Sequence, residues 1–213
     1  MANLDRPFGL RPVRMNSGAP WNGEANLYVV IGGNGSAFHI GDAVVHGGLC
    51  DTQGIPTVNK YAAGGSGVTA PIGVIVGILP VSARPTSLVG GALGLEITSI
   101  PAAEAADRYV LVCDSTEVIF EVQADSTGIR RNSVGSNVDL TVAVPSQGYQ
   151  LSASVLLNTS DAATATLPYK IVGLSSKPKN EINATAATDE PFIVALVRPN
   201  EHFFKAGVLG IAV

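Results

Sequence analysis

The chain has 213 residues, 46% of them hydrophobic and only 14% charged, with a net charge of -4. That length suits one large all-β domain or two small ones and buries a core without staples. The acidic balance lacks the clustered Lys and Arg that nucleic acid demands, and the longest apolar run, Gly73–Val81, is far short of the about 20 residues of a membrane-spanning helix.

Residues 1–23 read as an extended arm. Pro7, Pro12, Pro20, Gly9, Gly18 and Gly23 punctuate it, and no apolar period runs through it. It carries Arg6, Arg11 and Arg14 against Asp5, which makes it the most basic stretch of an acidic chain. Phe8, Leu10, Val13 and Trp21 are scattered anchors, a composition suited to docking across a neighbouring surface.

The body, residues 24–213, then reads as strands. Ala25–Ile31 is β-branched and aromatic, and Asn34-Gly35 behind it predicts a hairpin into Ser36–Ile40. Gly41-Asp42 bends the chain before Ala43–Val45. Pro56–Tyr61 and the uncharged Val68–Leu79 follow, with Gly73 and Gly77 marking bulges or close approaches. Ser82–Gly94 is a long Gly/Pro/Ser loop, of a length that is uncommon without a role. Pro101–Asp107 is the one helix-like turn.

Tyr109–Cys113 and Glu117–Val122 are expected to pair, the second with a wet face carrying Glu117, Glu121 and Gln123. Val138–Val144, Gln150–Leu156, Tyr169–Leu174 and Phe192–Val197 complete the strands, and the apolar tail Val208–Val213 is expected to be buried. The whole predicts an all-β sandwich or barrel of about ten strands, possible as two small subdomains split near residues 82–108. Ile75-Val76-Gly77-Ile78 and Ile171-Val172-Gly173-Leu174 share a pattern that two buried strands can share by chance, and no repeat is inferred from it.

Motifs for chemistry are sparse. Cys50 and Cys113 allow at most one disulfide and read as small buried hydrophobes. His39 and His46 lack metal-pair spacing, and His202 fits a hydrogen-bonding role in the loop after Pro199. No Gly-x-Ser-x-Gly elbow occurs, and Gly32–Gly35 precedes a strand, so it cannot aim a helix at phosphate. No catalytic, cofactor or metal residues are assigned, and the expectation is a non-enzymatic protein. An ordinary domain carries roughly 25% charged residues; a surface this poor in charge resembles the core of an interface and leans toward an assembly.

Two stretches carry a resemblance. The opening Asn3, Pro7, Gly9-Leu10-Arg11-Pro12-Val13, Gly18-Ala19-Pro20-Trp21-Asn22-Gly23, followed by a strand, a Gly-rich turn and Ile40-Gly41-Asp42-Ala43-Val44, resembles small structural proteins of tailed-phage head gene clusters. The end, with Val172-Gly173-Leu174, Pro178, Asn180, Ile193–Val197, Asn200, His202, Gly207 and Gly210, follows the same plan. The resemblance covers about half the chain and leaves residues 82–168 outside it.

It implies a capsid decoration, or cement, protein: made in the host cytoplasm, residing on the outer capsid surface, bound to the major capsid protein and to itself as a trimer or dimer, with no nucleic acid, membrane or cofactor. Arg6, Phe8, Arg11, Arg14 and Trp21 are the expected contact residues, since Arg and aromatic side chains dominate interfaces, with Ser82–Gly94 second. A tail or head-fibre component and a carbohydrate-binding β-module are the alternatives.

Overall fold

A computed structural model describes residues 3–79, 97–145 and 151–208. The protein is all-β. Thirteen strands are found among the described residues: β1 (Arg11–Met15), β2 (Asn26–Val30), β3 (Phe38–His39), β4 (Ala43–Cys50), β5 (Pro56–Lys60), β6 (Pro71–Ile78), β7 (Ser99–Ile100), β8 (Arg108–Cys113), β9 (Val118–Gln123), β10 (Asn137–Thr141), β11 (Val155–Ala162), β12 (Tyr169–Leu174) and β13 (Val194–Pro199). Five of them close a barrel in the order β2-β5-β4-β6-β8. Six form a sheet in the order β1-β9-β13-β12-β10-β11. That sheet curls until Ala124, just past β9, meets Leu156 of β11 in a parallel bridge, which completes a second ring.

The two rings have the same topology. In each, the first strand lies parallel to the third, the third pairs with the second, the second with the fourth, the fourth with the fifth, and the fifth with the first. The likeness extends to single hydrogen bonds. Gly41 donates its N–H to Ile75 O at 2.8 Å, and Ile75 donates to Asp42 O at 3.0 Å. Gly135 donates to Ile171 O at 2.8 Å, and Ile171 donates to Ser136 O at 3.0 Å. Gly41 and Gly135 both sit at positive φ, 94° and 99°, a region glycine enters without steric cost.

The Ile-Val-Gly echo is part of this likeness. The ladder slips between Ile75 and Gly77 against β8, and between Ile171 and Gly173 against β13. Each glycine marks a β-bulge that bends its strand around the ring. Gly73 makes a close approach as well: a Cβ there would lie 2.5 Å from Cys113 O.

Each ring has its own apolar core. Tyr28, Val30, Phe38, Val44, Ile72, Ile75 and Val110 fill the first. Val118, Phe120, Val122, Leu140, Leu156, Ile171 and Val197 fill the second, joined at the seam by Leu10, Tyr61, Val74 and Cys113. Tyr61 Oη donates to Asp139 Oδ1 at 2.7 Å across that seam, and Gly64 N–H donates to the same carboxylate at 2.6 Å.

Several sequence expectations change. Asn34-Gly35 is no hairpin: β2 pairs with β5 and β8, while β3 pairs with β7. Pro101–Asp107 forms turns, with Ala103 at φ 58° and its N–H donated to Asn34 O. The described helical structure is two three-residue 3-10 turns, Gly67–Thr69 and Arg131–Ser133. β8 and β9 do not pair, because the chain passes from the first ring to the second between them. The change of ring thus falls at residues 114–117. Cys50 is exposed and Cys113 buried, and both thiols are free. Val208 is exposed; the rest of the tail, and Ser82–Gly94, lie outside the described residues.

Candidate interaction surface

The segment expected as an arm lies along the chain's own body. Asn3 is buried and locks to the loop before β13: it accepts the Glu181 N–H at 2.7 Å and donates to Glu181 O and Pro191 O. Gln123 clamps the next residues, donating to Leu4 O at 2.8 Å while its Oε1 accepts the Arg6 N–H at 3.0 Å. Gly9 presses on Gly41, and Leu10 enters the core. Residues 11–15 then add a strand, β1, antiparallel to β9.

A short return covers the outer edge of β1. Met15 donates to Ala19 O at 2.8 Å, Trp21 donates to Val13 O at 3.4 Å, and Arg14 and Pro20 form a bridge. Proline lacks an N–H, so its placement on this edge blunts further pairing. Trp21 is half-buried and packs against the second core.

Of the five expected contact residues, Arg6, Arg11 and Arg14 are exposed, and Phe8 and Trp21 are half-buried. The structure brings Phe8 and Arg11 together, with the guanidinium 4.9 Å from the ring centroid, within cation–π range. Arg6, Arg14 and Trp21 are spread along the same segment rather than clustered.

The charged centre of this face is Glu121, which sequence reasoning placed on a wet face. All of Val118–Gln123 is buried, and Glu121 is only 3% exposed. Its carboxylate accepts from Arg11 at 2.5 Å, Lys177 at 2.6 Å and Ser175 at 3.1 Å. Burial alone would raise its pKa, but the hydrogen bonds and charges of Lys177 and Arg11 outweigh burial and hold it below the usual carboxylate range. The two cations remain half in solvent, with side chains 55% and 57% exposed. The alternation of Glu121 and Gln123 with Phe120 and Val122 gave no signal for this buried, ligated face, because the cover comes from residues remote in sequence.

A second feature is an aromatic group that sequence reasoning did not single out. His46 stacks on Phe203 with centroids 5.0 Å apart, and Phe204 meets Phe203 edge-on at 5.2 Å. Phe204 is 63% exposed and Val68 beside it 80%. His202 fastens the loop beneath them, accepting the Phe204 N–H at 3.2 Å. The adjacent pair Phe203-Phe204 in a loop was the available cue.

A third cluster is sealed inside. Asp42 has no exposed surface, with Lys60 Nζ 3.0 Å away and the His39 N–H donated to it at 2.9 Å. Burial opposes its charge, yet the bond from His39 and the charge of Lys60 hold its pKa down. This arrangement pins β4, β5 and the β3 turn together. Among the described residues, no group of three or more His, Cys, Asp or Glu side chains converges as metal ligands would.

No family model, no curated protein and no solved structure matches the chain.

Proposed function

We propose that this chain is a structural protein of a tailed-phage virion that binds the outer face of the capsid shell and stabilises it. The observation that carries this reading is the N-terminal face. An acidic, charge-poor chain devotes a stretch to a strip fastened from Asn3 to Trp21, on which Arg6 and Arg14 are exposed and Arg11 is half in solvent while paired to Glu121.

The backbone of this strip is held by the body through Asn3, Gln123 and β9, and a preorganised backbone lowers the entropic cost of binding. Guanidinium groups suit bidentate contact with the carboxylates of a partner, here the major capsid protein. Copies arrayed on one lattice gain from multivalency, and self-association around a symmetry axis adds to it. A protein that binds only the expanded shell raises shell stability by mass action.

Calorimetry of expanded shells with and without the added chain tests this. A higher shell melting temperature with the chain supports the reading, and an unchanged one overturns it.

A further inference from the structure

The likeness of the two rings exposes an edge that only one of them has filled. In the second ring, β1 lies on the first strand, with Arg11 opposite Glu121, Pro12 opposite Phe120 and Met15 opposite Val118. The matching stretch of the first ring follows from the shared register. Leu111 faces the bulge glycine Gly77, as Leu196 faces Gly173. Leu111 pairs with Leu27, and Leu196 with Glu121. Leu27 is therefore the counterpart of Glu121, and Glu24–Leu27 the counterpart of Val118–Glu121.

Among the described strands, β8 pairs with this stretch on one side, while β5 meets β2 only at Val29. Glu24 and Asn26 are exposed, and Ala25 and Leu27 half-buried. Glu24 places an exposed carboxylate on this stretch, while Asp114, just past the end of β8 on the flank already paired, accepts from Asn26 Nδ2 at 3.0 Å and from Tyr28 Oη at 2.8 Å. Neither carboxylate is in an ion pair among the described residues. The strand that fills the counterpart edge carries Arg11 and Arg14, and Arg11 sits on a carboxylate.

We propose that the edge formed by Glu24–Leu27, the start of β2 and the two residues before it, accepts an extended, arginine- or lysine-bearing strand of a partner protein. Backbone hydrogen bonds would supply affinity, as in other strand additions. Glu24 selects a basic segment. The inference rests on the internal likeness of the rings and not on the shell reading.

The test uses the full chain and a synthetic peptide of its own residues Phe8–Asn16, the strand that fills the equivalent edge. The expected result is saturable binding with new amide-exchange protection at residues 24–28. Glu24→Lys, an exposed change whose folding is checked by circular dichroism, should weaken binding about tenfold through charge repulsion. No binding at millimolar peptide, protection confined to Val118–Glu121, or an unaffected Glu24→Lys variant would each overturn the proposal.

Discussion

Gly9 lies directly against Gly41. The N–H of Leu10 reaches Gly41 O at 2.9 Å, and a Cβ on Gly9 would lie 2.4 Å from that oxygen and 2.5 Å from Ser152 Cβ. The contact joins the N-terminal segment to the bend that opens β4. It also explains why both motifs carry glycine, since each residue sits at positive φ in a space too small for a side chain. Gly9→Ala is expected to cost about 2–4 kcal/mol, from clash and strain together. Gly18→Ala, at φ 93° with nothing within 4 Å, carries only the conformational strain, about 1–2 kcal/mol. Urea denaturation of the two variants should separate them in this order.

Glu121 gives a pH signature. Its folded pKa is depressed, so its contribution is complete above the unfolded value, about 4.3, and is lost as pH falls through the folded value. Glu121→Gln should flatten the stability profile in that acid range. At neutral pH it should cost about 1–2 kcal/mol, a modest figure because Arg11 and Lys177 are half solvated. Chemical denaturation at a series of pH values measures both.

The Asp42–Lys60 pair should behave as a buried ion pair. Lys60→Met leaves the Asp42 carboxylate enclosed without its cation and is expected to cost about 3–5 kcal/mol. Asp42→Asn combined with Lys60→Met should recover part of that loss. A double-mutant cycle of unfolding free energies checks the coupling.

The two thiols should differ sharply. Cys50 is exposed, while burial pushes the Cys113 thiol up to about 12, where little thiolate forms. A thiol reagent at neutral pH should titrate one group per folded chain and both in denaturant. Two fast-reacting thiols in the folded state would contradict the seam described between the rings.

Strands were legible in the sequence because β-branched runs between Gly and Pro clusters leave few alternatives. Their pairing was not. Asn34-Gly35 carries a hairpin signal, yet its turn is engaged by Ala103 and Glu104 from the β7–β8 connection, a long-range contact that overrides local preference. The spacing of Tyr109–Cys113 and Glu117–Val122 suits a hairpin equally well, but the chain uses the interval to change rings. The Ile-Val-Gly echo was visible, and only the register of Gly77 and Gly173 distinguishes a shared bulge from coincidence. At the N-terminal face, the arginines could be read from composition. Their carboxylate partner could not, because Glu121 alternates as a solvated strand residue would, and its cover comes from Arg11 and Lys177, remote in sequence.

Removing residues 1–23 would not isolate the role of this face, since Leu10 belongs to the core and β1 to the sheet. Charge reversal at Arg6 and Arg14 keeps the strip in place. The most direct measurement is therefore co-sedimentation with bare, expanded shells of a tailed phage, the partner proposed above, comparing the natural chain with an Arg6→Glu/Arg14→Glu variant shown to be folded. If the N-terminal face binds the shell, the natural chain pellets with the shells and the variant stays largely in solution. A natural chain that remains in the supernatant over intact, bare shells would contradict it.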